Sequence, residues 1–346
     1  MAYSTIPKGS LYMDTKLYTG NNSPSNTISG IPFAPDLIWI KARGAATDHV
    51  LFDKVRGVYK SLSSNDSTAE NNNTNQLQTF TSDGWTMGDL DTSNAATTFA
   101  SWNWKAGTAV SGSTTGSGTA KTYTGSVSTT SGFSIIKYIG NGSSGHTIPH
   151  NLNAVPKMIF VKNMVSASNW IVYNSGITGN KFLRLNTADT VQTSSARWND
   201  TTPTSTVFTL GNDGDVNTNG TNYIAYCFAE IQGFSKIGGY NGNSSTDGSF
   251  TYTGFKPAFV FTKATATGEG WQIYDNKRLG YNPTEKVLYP NVTQTESTLA
   301  GGIDFLSNGF KWRTADGGVN SGQLYAYMAF AEAPLVGTNN TPCTAR

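Results

Sequence analysis

A seven-residue run that opens on Pro, passes through mainly apolar and aromatic side chains and stops at Lys occurs three times in the chain. It reads Pro35-Asp36-Leu37-Ile38-Trp39-Ile40-Lys41, then Pro156-Lys157-Met158-Ile159-Phe160-Val161-Lys162, then Pro257-Ala258-Phe259-Val260-Phe261-Thr262-Lys263. Both parities are largely apolar, so the run predicts a strand buried on both faces. Pro stands at its start, where a missing N–H costs least. Such a strand needs a layer on each side, so a larger unit is expected around each copy.

Other landmarks recur in the same order. Tyr18, Tyr138 and Tyr240 precede the three Pro residues by 17, 18 and 17 positions. A second short strand follows, beginning near Val50, Trp170 and Trp271, and then a Lys and an Asn five residues apart at Lys60 and Asn65, Lys181 and Asn186, Lys286 and Asn291. An aromatic mark comes next at Trp85, Phe208 and Phe310, and each copy closes on an aromatic strand ending at Trp104, Phe228 and Phe330. Ordered landmarks at near-constant offsets define a tandem repeat of roughly 100 residues, long enough for each copy to hold a core.

The copies are expected to be all-β. Gly and Asn turns are frequent, charged residues are only 13% of the chain, and no segment carries a sustained helical period. The reading is three tandem β-sandwich modules, jelly-roll or concanavalin-like, with little helix. Their expected limits are residues 1–107, 121–232 and 233–334. A Gly/Ser/Thr-rich linker is expected over residues 108–120 and a C-terminal tail over 335–346. Residues 122–127 have a second reading, as the first edge strand of module two. The linker leaves module one the freer, whereas the short join at residues 230–234 makes modules two and three a fixed pair.

Charge and cysteine content exclude several classes. Lys plus Arg number 24 against 22 Asp plus Glu, a net +2 that supplies no field for nucleic acid. Two cysteines, Cys227 and Cys343, argue against a disulfide framework or a zinc site. No apolar run reaches the roughly 18 residues of a membrane span. The first residues hold no secretory apolar region, so synthesis and folding in a cytoplasm are expected.

Individual motifs yield little catalytic chemistry. His146 and His150 have the spacing of a helical metal pair, but Pro149 breaks the helix. Residues 140–145 match G-x-G-x-x-G without a following helix, which leaves a Gly-rich turn. Residues 213–220 resemble the start of a calcium loop but lack the Gly at its sixth place, and Ile224 stands where the closing Glu belongs, leaving at most a weak Ca²⁺ site. Glu70 and Glu296 occupy the same repeat position, as structural residues would, and no acid pair of a glycosidase stands out. No catalytic residue, metal ligand or cofactor site is assigned. Trp198 has no counterpart in the other copies and lies among polar residues. With Asn199 and Asp200 it forms the expected surface contact, an exposed aromatic that stacks on a sugar ring or docks a partner.

Several stretches resemble a module common in virion proteins of marine tailed phages, cyanophage- and pelagiphage-like. They are residues 35–41, 51–57, 82–85, 101–107, 132–138, 275–280 and the ending Tyr327-Met328-Ala329-Phe330-Ala331-Glu332-Ala333-Pro334. The chain departs from the pattern at Asn151, where relatives tend to carry Gly. The resemblance implies a non-enzymatic virion protein, assembled in the host cytoplasm, of the tail-fibre or receptor-binding kind. The implied partners are other virion proteins, further copies of itself, most often as a trimer, and a host surface glycan or protein. A head decoration protein is the alternative and a polysaccharide depolymerase the second alternative.

Overall fold

Each copy of the repeated run forms a strand, at Leu37–Ala42, Pro156–Asn163 and Phe255–Ala264, in a computed structural model that describes residues 4–177, 179–334 and 336. The aromatic closing strand, Thr98–Trp104, Asn222–Ala229 or Leu324–Pro334, pairs antiparallel beside it. On its other side the closing strand pairs with the opening strand of the same copy, Met13–Thr19, Phe133–Ile139 or Ser235–Asn241. The register is common to all three: Trp39 faces Trp102, Phe160 faces Tyr226 and Phe261 faces Met328. Pro156 and Pro257 sit at register shifts, where a strand tolerates proline.

A second sheet lies outside each of these. It pairs Asn26–Ile28 with Trp85–Met87 in module one, His146–Pro149 with Val207–Leu210 in module two and Phe250–Tyr252 with Gly309–Trp312 in module three. Among the described residues, every sheet draws its strands from one copy. The protein is therefore all-β and sandwich-type, with only short helical turns.

Burial on both faces now has a cause. In module one, Ile38, Ile40 and Ala42 pack with Trp85 and Met87 in the module's own core. Leu37 and Trp39 point the other way, into a cluster shared by all three modules. Module two divides likewise, with Ile159 and Val161 in its own core and Met158 and Phe160 in the shared one. The modules are thus three sandwiches whose inner sheets face one another.

Equivalent residues meet in that shared core. Trp104, Phe228 and Phe330 close a triangle of edge-on contacts, with ring centroids 6.0, 5.9 and 6.0 Å apart. Phe261 touches both Trp39 at 5.9 Å and Phe160 at 6.0 Å. Polar contacts run around the same ring. Tyr226 donates its hydroxyl to Asp53 at 2.7 Å, Asn174 donates to the Tyr327 carbonyl at 3.4 Å, and Trp102 Nε1 donates to Asp275 at 3.0 Å. The N–H groups of Glu70, Val191 and Glu296 donate to the carbonyls of Met164, Thr265 and Arg43. Each series joins one to two, two to three and three back to one, so one chain builds a cyclic, pseudo-threefold arrangement.

Two expectations are corrected. Residues 108–120 are not a flexible linker. Thr108–Ser113 is a strand paired with Thr122–Ser128, which in turn pairs with Phe133–Ile139, so a polar hairpin extends the inner sheet of module two. Backbone pairing holds it in place despite a composition that suits a linker. Nor is module one freer than the others, because Trp39, Trp102 and Trp104 lie in the shared core. The expected tail, residues 335–346, lies outside the described residues except for residue 336.

Removing one corner of the aromatic triangle should therefore weaken the whole chain. Phe228→Ala is expected to cost about 3–5 kcal/mol, as aromatic truncations in packed cores do. Calorimetry should show one unfolding transition moved to lower temperature, not the loss of one of three separate transitions.

Candidate binding groove at the seam between modules three and one

The repeated polar positions are spent on holding the ring together. Lys41, Lys162 and Lys263 are fully buried, and each Nζ donates to two backbone carbonyls. Lys162 reaches across to Ser67 and Lys263 to Ala188, each in the preceding module. Burial pushes all three ammonium groups down to about 8. The Trp170 and Trp271 indoles donate to the Ser63 and Arg184 carbonyls across the same seams, both at 2.8 Å.

Glu70 and Glu296 belong to buried ionic clusters. Arg56 is bound by Asp53 at 2.5 Å and Glu70 at 3.3 Å, and Arg278 by Asp275 at 2.7 Å and Glu296 at 3.5 Å. Glu296 also grips Arg43 through both oxygens at 2.9 Å. Module two replaces the whole set at once, with Asn174, Ile177 and Val191 in the places of the acid, the arginine and the glutamate. A charge removed alone would leave its partner buried and unpaired.

The other sequence candidates also find structural partners. His146–Pro149 is a strand, so the two histidines do not form a helical pair. His146 bonds Asn217 at 2.9 Å and Thr114 at 2.7 Å. His150 bonds the Thr204 carbonyl through Nε2 at 3.1 Å, while its Nδ1 accepts from the Leu152 N–H at 3.2 Å. Residues 140–145 form a turn held by Asn217, whose side chain accepts from the Asn141 N–H; Asn94 and Asn320 do the same for Asn21 and Asn243. In the calcium-like loop, Asp213 caps the turn Gly214–Asn217, and Arg197 engages both Asp213 and Asp215. Cys227 is a buried free thiol raised to about 12 by burial; Cys343 lies outside the described residues.

Trp198 is the principal correction. It is only 1% exposed, so it cannot stack on a ligand. Ser194 caps the short helix Ser195–Trp198, which turns the indole inward against Tyr173 at 6.0 Å and Phe208 at 6.4 Å. The polar neighbours that suggested exposure are the turn itself. Asn199 and Asp200 follow in left-handed conformations, the first half-buried and the second exposed, and lead the chain away.

The seams between modules are related by the repeat, yet they differ in form. Between modules two and three, Gly176 abuts the backbone of Gly238 and Gly239, so close that an added Cβ would sit 2.6 Å from a main-chain nitrogen. Between modules one and two, the polar hairpin walls a shallow cleft of about 540 Å³, and the lysine there, Lys54, is paired with Asp36 at 3.4 Å. The seam between modules three and one is an open groove. A cleft of about 400 Å³ spans this seam and adjoins one of about 360 Å³ on module three, the two sharing Asn276, Lys277 and Glu332. Their combined volume falls in the range of small-molecule sites.

Three features set this groove apart. The first is a set of polar atoms without partners: Ser10 Oγ, Thr15 Oγ1 and Asn276 Oδ1 are buried, unbonded and on its lining. The second is charge. Asp14 lies within the field of Lys277, Lys16 and Lys8, and burial raises its carboxyl above the usual range in spite of them. The third is a four-residue extension of module three between Asp275 and Lys286, relative to the sister copies. It carries Tyr281, 68% exposed, to the rim. Asn282 anchors this extension by exchanging two 3.0 Å bonds with the Phe305 backbone. Sequence inspection passed over these residues because they lie in separate modules; the signal within reach was the extra length before Lys286.

The fold and groove define an all-β, multi-sandwich protein with clefts at its inter-module seams. The chain belongs to the family described as a domain of unknown function (DUF7483), whose model matches residues 8–334. That span takes in all three modules, so the family unit is the ring rather than one sandwich. No curated protein and no solved structure matches the chain. No helix among the described residues is long and apolar enough to cross a membrane.

Two outcomes test these assignments. Arg56→Ile alone should destabilise the chain by about 3–5 kcal/mol, by stranding buried carboxylates. Asp53→Asn, Arg56→Ile and Glu70→Val together, which copy module two, should recover most of that loss in denaturant titration. The histidines predict acid sensitivity. Burial lowers the values of His49, His146 and His150, the last to about 4. Below about 6.5 the unfolded chain takes up protons that the folded chain refuses, so stability falls as pH drops from about 6.5 to about 4. His150 alone accounts for up to about 3 kcal/mol of this, and thermal melts of His150→Gln should show a shallower decline.

Proposed function

We propose that this chain is a non-enzymatic virion protein of a tailed phage that mediates attachment to the host surface, as a tail-fibre or receptor-binding component. The observation that carries the reading is the open groove lined by both modules, with the exposed Tyr281 extension at its rim. Three sandwiches locked by a common aromatic core give a rigid platform, and rigid platforms lose little entropy on binding. The repeated carboxylates, which a depolymerase would need as acid and base, are held by Arg56, Arg278 and Arg43. The resemblance to phage virion modules supplies the particle; the groove supplies a place for a receptor.

The threefold assembly common in fibres takes a different form in this reading. The apolar inner faces that would drive trimerisation are covered within one chain, so the ring acts as a single-chain counterpart of a trimer. The same threefold form is what favours the head-decoration alternative, as a ring seated on a threefold position of a shell. Copies per particle separate the two: a few dozen or fewer for a tail part, hundreds for the head.

The test is direct. Purified protein should run as a single chain by light scattering and bind saturably to marine cyanobacterial or pelagic bacterial host cells. A mass of three chains would refute the ring as the counterpart of a trimer, and failure to bind any cell of a host panel would refute attachment.

A further inference from the structure

We infer that the groove between modules three and one is a subsite for an acidic oligosaccharide, with one sugar ring stacked on Tyr281 and anionic groups set against Lys277 and Lys8. This rests on the attachment reading and names the chemistry of its receptor.

The argument begins from what the groove lacks. Ser10 Oγ, Thr15 Oγ1 and Asn276 Oδ1 are buried without partners, although such atoms normally find one at a gain of about 1 kcal/mol each. Thr15 is only 6% exposed and lies in the opening strand of module one, whereas Asn276 follows the buried acid Asp275 of module three. Thr15 is held in a strand, Asn276 directly follows one, and both residues line the same cleft. Two hydroxyls and an amide oxygen can donate to or accept from a ligand rich in hydroxyls, which an oligosaccharide is.

Charge selects among saccharides. Lys8, Lys16 and Lys277 surround one carboxylate, Asp14, and form no ion pair among the described residues. Lys16 Nζ stands 3.2 Å from where a side chain on Gly30 would begin, at the groove wall. The remaining pair, Lys256 with Glu332 at 2.8 Å, cancels itself. Lys8, Lys16 and Lys277 stand against Asp14 and against Asp83, which accepts from the Gly30 N–H at 3.1 Å, and the surplus of one positive charge lies in a half-enclosed cleft, where screening is weaker than on open surface. Lysine binds as a mobile point charge with three donors, which suits carboxylate or sulfate groups spaced along a chain.

Tyr281 supplies the remaining feature. Its ring is exposed on an extension absent from the sister modules and pinned by Asn282. A flat apolar face rimmed by polar groups matches the C–H face of a pyranose with its hydroxyl edge. Adjoining clefts of about 400 and 360 Å³ can hold several sugar units in line.

Isothermal titration of the full chain tests this with a galacturonic acid hexamer, a sulfated dextran oligomer of similar length and neutral maltohexaose. The acidic probes should bind at least tenfold more tightly than the neutral one, and less tightly as salt rises from about 50 to about 500 mM. The preferred acidic probe identifies carboxylate or sulfate as the anionic group. Lys8→Gln with Lys277→Gln should weaken acidic binding at least tenfold, and Tyr281→Ala should weaken it with an unchanged thermal midpoint, since all three side chains are exposed. Equal binding of neutral and acidic probes, no binding of either acidic probe, or wild-type affinity in the lysine variant would overturn the inference. Cell binding separates the two levels. If wild type and groove variants bind host cells equally, the groove is not the receptor site and attachment stands. If wild type binds no cells, attachment fails, and titration still judges the groove.

Discussion

The closed triangle of Trp104, Phe228 and Phe330 is the contact on which the rest of the structure depends. Each ring ends the closing strand of its own module, and each meets the other two edge-on at about 6 Å. Edge-on aromatic packing lets three large rings share one centre. Because the triangle is closed, no module can move away without exposing the inner faces of the other two. The hydrogen bonds from Tyr226 to Asp53 and from Trp102 to Asp275, and that from Asn174 to the Tyr327 carbonyl, then fix rotation within the ring. Apolar burial supplies the attraction, and the directional bonds supply the register.

This arrangement explains the placement of charge. Buried Lys41, Lys162 and Lys263, and buried Arg56 and Arg278, would be liabilities in a single sandwich. Here each sits where strands turn at a seam, and carbonyls or carboxylates, some from the neighbouring module, satisfy it. Module two dispenses with arginine and both acids together, through Asn174, Ile177 and Val191. Neutral and ionic versions of one joint thus coexist in one chain. What the position requires is a matched set, not a particular charge.

Sequence offsets made the repeat, the all-β class and the double-sided burial of the Pro-to-Lys strand legible, because those depend on local periodicity. They misjudged residues 108–120, where a Gly/Ser/Thr composition permits a linker but backbone pairing decides for a hairpin. They misjudged Trp198 for a related reason. Its polar neighbours form a capped turn whose direction depends on Tyr173 and Phe208, both distant in sequence. Of the groove, only the extra length before Lys286 was legible. Asp14 and Lys277 are far apart along the chain, and only the closing of the ring brings module three onto module one.

The sequence by itself determined the module: its strands, its two-sided core strand, and the recurrence of both. Local alternation and turn residues carry that information, and three copies repeat it. Only the tertiary structure decided that the copies close into a ring, that repeated lysines and tryptophans bind across its seams, and that the seams differ in form. The physical reason is that equivalent surfaces must meet all at once for the shared core to be covered. Three copies obey the same local rules, but their seams differ with the hairpin at one, Gly176 at another, and the Tyr281 extension at the third.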